Sequence, residues 1–115
     1  MAASFAEPPV TDLVRVDVVS FGSTVRVTAA GEIDSSSSPV FERHLDGVLD
    51  SRPGELVIDL CAVTFLDSAG LCVLASAHRR AGEQQIPLRV LASSRAVVRP
   101  LQITGLWSIF TVVDA

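Results

Sequence analysis

Between Leu13 and Val19 apolar and polar residues alternate, with Val14, Val16 and Val18 set against Arg15 and Asp17. Period two is the signature of a half-buried strand. Gly22-Ser23 supplies a turn, and Val25, Val27 and Ala29 alternate with Arg26 and Thr28, so the two strands are expected to form a hairpin closed by Gly31. Glu32-Ile33-Asp34 then leads into four serines, Ser35 to Ser38. Ser38-Pro39 predicts a helix start, because serine can accept from an orphan N–H and proline at the first helical position loses no useful donor. Phe41, Leu45, Val48 and Leu49 share one helical face, and Asp50-Ser51-Arg52-Pro53-Gly54 ends it.

The pattern changes at Leu56-Val57-Ile58-Asp59-Leu60, a nearly unbroken apolar run of strand length that predicts a central strand covered on both faces. A loop is expected from Cys61 to Leu66. Ser68 to Ala81 reads as a helix with Leu71, Leu74, Ala75 and His78 on one face and Gly82 as its stop. Leu88 to Leu91 predicts a strand, Ser94 the cap of a third helix running towards Gly105, and Ile109 to Val113 the last strand. The order β-β-α-β-α-β-α-β predicts an α/β fold. Its sheet should be mixed, mostly parallel and of about five strands, with an antiparallel hairpin at one edge and three main helices. Residues 1–11, with Pro8-Pro9, read as a flexible tail, leaving 12–115 as a single domain.

Composition narrows the chemistry. With 115 residues, 49% of them hydrophobic, the chain can bury one core. Its net charge is −4, and all nine basic residues are scattered arginines, unlike the basic stripe that a duplex reader uses to displace counterions. No nucleic-acid partner is expected. The absence of lysine removes a Walker A site, a Schiff base and the lysine of a receiver-type phosphoaspartate site. Ten residues lie between Cys61 and Cys72, with no CxxC and no neighbouring histidine pair, so reduced, buried cysteines are expected rather than a metal site. No signal-peptide pattern opens the chain, and no apolar run approaches the ~20 residues that span a bilayer. A cytoplasmic protein with no membrane partner, no metal and no cofactor is expected.

The informative stretch is Phe65-Leu66-Asp67-Ser68-Ala69-Gly70-Leu71. It sets a hydroxyl beside a carboxylate where a helix follows a central strand, at the end of a parallel sheet where sites concentrate. Helix N-termini offer unpaired N–H groups and positive potential to a phosphate. Ordinary capping by Asp67 or Ser68 is the simpler account of these residues alone. Gly70 speaks against it, since a glycine in the first turn costs roughly 1 kcal/mol relative to alanine and can let another backbone come close.

Together with Gly31-Glu32-Ile33-Asp34 and Val57-Ile58-Asp59-Leu60, this element resembles the STAS domain, and more narrowly the stand-alone bacterial anti-sigma factor antagonists (anti-anti-sigma factors). Ser94-Arg95-Ala96-Val97 and Ile103-Thr104-Gly105-Leu106 fit the family's third helix and its exit. The resemblance implies that Ser68 is the phosphoacceptor. It implies a partner that is both anti-sigma factor and serine kinase, with a histidine-kinase-like ATP-binding fold, and a PP2C-type phosphatase that restores the hydroxyl. Unphosphorylated antagonist binds that partner and frees the sigma factor for transcription. Partner contacts would come from the loop Asp34 to Ser38, notably Asp34, Ser35 and Ser36, and from Asp67, Ser68, Ala69, Gly70 and Leu71. Asp34 would lie near the acceptor hydroxyl. The chain should be a monomer or weak homodimer. Ala69 stands where some members have a second serine, and Pro100 should kink or shorten the third helix.

Three rivals remain. An enzyme with Ser68 as nucleophile needs a base within hydrogen-bond reach. His78 lies ten residues along the same helix, roughly 15 Å away, and His44 belongs to another helix. No catalytic residue is therefore expected. A receiver phosphorylated on Asp59, at the end of a central strand, lacks paired carboxylates for magnesium; a loop-facing carboxylate bonded to backbone is the plainer account of Asp59. A STAS scaffold or ligand-sensing module of a stress-signalling complex is the alternative function.

Overall fold

The computed structural model describes residues 13–114; the tail expected at 1–11 lies outside them. Five strands line up in chain order, β1 (Val14–Phe21), β2 (Thr24–Ile33), β3 (Glu55–Leu66), β4 (Leu88–Ala92) and β5 (Thr111–Asp114). The first pair is antiparallel and every later pair parallel, as the alternation of strands and helices predicts. Helices α1 (Ser38–Asp50), α2 (Ser68–Glu83) and α3 (Arg95–Thr104) connect the parallel strands, and a short fourth, α4 (Leu106–Ile109), precedes β5. That last turn was expected to be strand from Ile109. Gly105, at φ +81, ends α3 and opens α4. None of these helices is long and apolar enough to cross a membrane.

β2 and β3 are both longer than the alternation suggests, and the expected loop from Cys61 to Leu66 is strand. Thr28 pairs with Asp59 but Ala30 with Ala62; Gly31 pairs with Val63 but Glu32 with Phe65. Each step leaves one extra residue on β3, a bulge that flips the side-chain alternation. β3 is accordingly buried on both faces from Leu56 to Leu60 and, beyond the first bulge, at Val63 and Leu66, spacing three. Asp59 accordingly sits within β3, not at its end and not facing a loop.

Gly31 makes the bend possible at φ +104, and a Cβ there would stand 2.2 Å from the Leu13 carbonyl oxygen. That carbonyl instead accepts a hydrogen bond from Glu32 N–H at 2.7 Å.

Phe41, Leu45, Val48 and Leu49 of α1 are buried as predicted. The helix starts one residue early, with Ser37 as its N-cap and Ser38-Pro39 inside. On α2 the buried face is Gly70, Val73, Leu74, Ala77 and Ala81; Leu71, Ala75 and His78 flank it half-buried. Small residues at Gly70, Ala77 and Ala81 let α2 lie close to its neighbours. Gly82 is part of α2 and does not stop it; the chain turns at Gln85, φ +60. Arg80 joins α2 to α1 through Asp46 at 2.7 Å and Asp50 at 2.8 Å. α3 runs its ten residues through Pro100 without breaking, because buried Val97 and Leu101 hold it by packing where the proline removes a backbone bond.

Candidate functional site

The parallel register of β2 and β3 creates the site. Ile33 pairs with Leu66 at the very ends of the two strands, and Asp67 N–H donates to the Ile33 carbonyl at 3.2 Å. The loop into α1 and the start of α2 thus leave the sheet side by side. Gly70 seats α2 there: a Cβ on it would lie 2.3 Å from Leu66 Cδ1 and 2.9 Å from Ile33 Cγ2. Side chains, rather than the backbone expected from the sequence, make the close approach.

Asp67 is the N-cap, in extended backbone, and its Oδ1 accepts from Ala69 N–H at 2.9 Å and Gly70 N–H at 3.4 Å. Ser68 is therefore the first helical residue. It is exposed, and its hydroxyl forms no hydrogen bond among the described residues. Of the first-turn amides that a phosphate could use, Asp67 already takes those of Ala69 and Gly70.

Asp34 closes the neighbouring loop. Its Oδ1 accepts from Ser36 N–H at 2.9 Å, Ser36 Oγ at 2.7 Å and Ser37 N–H at 3.0 Å. Hydrogen bonds from the Ser36 hydroxyl and Ser37 amide hold its carboxyl below the ordinary aspartate value, against a smaller opposing effect of desolvation. The Ser37 hydroxyl donates to the Glu32 carbonyl at 2.7 Å and accepts from Asp34 N–H at 3.0 Å. Asp34 is thus committed to its own loop and makes no hydrogen bond with Ser68.

Of the eight positions singled out from the sequence, Ser35, Ser36 and Ser68 are exposed, Asp34, Asp67, Ala69 and Leu71 are half-buried, and Gly70 is buried. Gly70 can shape a docking surface but offers little of its own. Ser37 and Ser38, at the end of the same loop, are buried too. Cys72 was expected inside the core; it is exposed, one turn beyond Ser68 on α2, while Cys61 is half-buried. Phe65, inside the segment 61–66 that the sequence predicts as a loop, stands 47% exposed on β3 two residues before Asp67. No periodicity could have marked it, because the bulge before it resets the alternation.

The histidines are engaged elsewhere. His44 Nδ1 lies 2.8 Å from the Val40 carbonyl oxygen, and the His78 ring stacks edge-on against Phe110 at 5.3 Å. Asp59, itself buried, pairs with the part-exposed Arg26 and accepts from Cys61 N–H at 2.9 Å. Burial alone would raise its pKa; the Cys61 amide and the Arg26 guanidinium outweigh that and lower it.

The STAS domain profile matches residues 15–115, nearly the whole chain. The chain belongs to the STAS family. Among characterised relatives, this STAS domain is 34% identical over 95 residues to the anti-sigma-F factor antagonist RsfB of Mycobacterium tuberculosis, covering 83% of this chain and 77% of that one. It is 31% identical over 99 residues to the anti-sigma-B factor antagonist of Bacillus subtilis, covering 86% and 90%. In three dimensions it is similar to an anti-sigma factor antagonist from Mycobacterium paratuberculosis, with a TM-score of 0.85 at 34% identity over 90% of this chain and 88% of the other.

Proposed function

We propose that this STAS domain is an anti-sigma factor antagonist that docks on its partner through the β2–α1 loop and the first turn of α2, with the Ser68 hydroxyl as its switch. The observation that carries the reading is Ser68 itself: exposed, unbonded, and beside a carboxylate that already caps the helix. The names of the relatives support the partner class. The partner would be an anti-sigma factor that is also a serine kinase with a histidine-kinase-like ATP-binding fold, and a PP2C-type phosphatase would reverse the modification in the cytoplasm.

The mechanism is a change of surface charge. Phosphorylation adds about −1.5 to −2 charges next to Asp67, whose Oδ1 holds the Ala69 and Gly70 amides. A phosphate cannot take those amides without displacing the cap, so it projects outward as a second anion. Like-charge juxtaposition at an interface costs several kcal/mol, enough to release the partner without refolding the domain.

Calorimetric titration against the ATP-binding anti-sigma factor tests this. Ser68→Ala should bind as tightly as the unphosphorylated protein, whereas Ser68→Asp should bind about a hundredfold more weakly. Equal affinity for the two variants would end the charge-switch reading. Peptide mass mapping after incubation with that partner and ATP should place the phosphate on Ser68.

A further inference from the structure

Helix α3 carries two arginines that its own chain does nothing to accommodate. Arg95 is the first residue of the helix, where the positive end of the macrodipole disfavours a cation, and the first turn holds no acidic residue. Arg99 follows one turn later, and like charges at i and i+4 destabilise a helix. Both are exposed. Among the described residues three arginines, Arg26, Arg80 and Arg89, pair with a carboxylate; of the six that do not, Arg95 and Arg99 are the two set one turn apart at the start of a helix. No Asp or Glu occurs from Gln84 to Val113, so α3 lies in the longest acid-free stretch of an otherwise acidic chain.

Beside these arginines opens an apolar groove of about 300 Å³, lined by Phe65, Leu66, Ala96, Pro100 and Ile103. Phe65 is 47% and Ile103 75% exposed. Two cations left uncompensated around exposed apolar side chains break local rules of helix design without a gain inside the chain. The groove lies close to the switch, because Phe65 and Leu66, which line it, precede Asp67-Ser68 directly in the chain. A partner seated over Ser68 would need to extend only a few residues to reach it.

We propose, resting on the antagonist reading above, that this groove is a second docking surface for the anti-sigma factor. It receives an apolar side chain of the partner flanked by carboxylates that pair with Arg95 and Arg99. Attraction here holds the partner while Ser68 decides whether it can close down. The acidic occupant also offsets the dipole and the i, i+4 repulsion that α3 carries when alone.

Arg95→Glu separates this role from a structural one. In the isolated protein it places an acid at the helix start and a Glu–Arg pair at i, i+4, both favourable, so the melting temperature should hold or rise. Affinity for the purified anti-sigma factor should fall about tenfold, and the salt dependence of binding should become shallower. Ile103→Ser should leave melting unchanged and weaken binding about fivefold.

A sharp drop in melting temperature for Arg95→Glu would mean that the chain's own residues hold the arginine, and would overturn the proposal. So would a wild-type dimer that Arg95→Glu converts to monomer, which would make a second copy the occupant. If Ser68→Asp lost the partner while Arg95→Glu and Ile103→Ser bound like wild type, the groove would lie outside the footprint and only this proposal would fall. If Ser68→Asp bound like wild type, the switch reading would fall instead.

Discussion

The two helix starts that leave the sheet side by side are built from the same residue types and use them in opposite ways. Ahead of α1, Asp34 and the serines after it form a closed knot. Asp34 takes four hydrogen bonds from Ser36 and Ser37, and Ser37, fully buried, ties back to the Glu32 carbonyl. Ahead of α2, Asp67 caps the helix alone, and the serine beside it has nothing left to do. A hydroxyl becomes available for chemistry when a neighbour has already satisfied the backbone around it. The carboxylate at Asp67 is what frees Ser68, just as the loop at Asp34 consumes Ser37.

The largest effect should come from breaking the seat that aligns the two starts. Gly70→Val forces a branched side chain into the space held by Leu66 and Ile33, where even a Cβ would be 2.3 Å from Leu66 Cδ1. Overpacking of this kind costs about 1–3 kcal/mol, sometimes more. Urea unfolding should show that loss, and partner binding should fall with it although Ser68 is untouched. Wild-type stability in Gly70→Val would mean that α2 does not need this close approach.

Next in size is a direct contrast of the two serines. Ser37→Ala leaves the Glu32 carbonyl and the Asp34 amide without their side-chain partner in a buried place, at a cost of about 1–3 kcal/mol. Ser68→Ala removes an exposed hydroxyl with no partner and should stay within about 0.5 kcal/mol of wild type. Thermal melts should therefore rank Ser37→Ala well below Ser68→Ala, the reverse of the ranking that the proposed switch implies for loss of phosphorylation. Equal melting temperatures would collapse the distinction between a structural and a switchable serine.

The sequence was most legible where period and pairing agree. Val14 to Ala29 announce a hairpin, and Phe41, Leu45, Val48 and Leu49 announce the buried face of α1. It was least legible where the backbone departs from regularity. Two bulges on β3 shift the register between Thr28 and Glu32, so Cys61 to Leu66 looked like a loop and Phe65 could not be placed. On α2 the large side chains Leu71 and His78 drew attention from the true face, which is half made of glycine and alanine because α2 sits close to what it packs on. The Asp67-Ser68 pair could be read as a helix start from residue type alone. That Asp67 and not Ser68 is the cap depends on one residue of phase, as does the cap of α1. The acid-free setting of Arg95 and Arg99 stands in the sequence, but that they flank an apolar groove could be seen only in three dimensions.

The smallest expected effect probes the knot at Asp34 by pH. Its carboxyl is held below the ordinary aspartate value, first by the Ser36 hydroxyl and then by the Ser37 amide. A group depressed in the folded state contributes stability that is fully present above its unfolded pKa and is lost as pH falls through the folded one. Asp34, and Asp59 by the same sign, should therefore leave the fold untouched near neutrality and loosen it only below about pH 4. Side-chain carboxyl shifts followed by NMR should give Asp34 a midpoint below that of an exposed aspartate, and Ser36→Ala should move it back upwards. At neutral pH Ser36→Ala should not alter partner binding through Asp34, since that carboxyl stays ionised there in both proteins. A midpoint for Asp34 unmoved by Ser36→Ala would show that the Ser36 hydroxyl adds nothing to the knot, leaving the backbone amides and the Ser37 hydroxyl to hold it, and the contrast with the single cap at Asp67 would narrow to the bonds of Ser37.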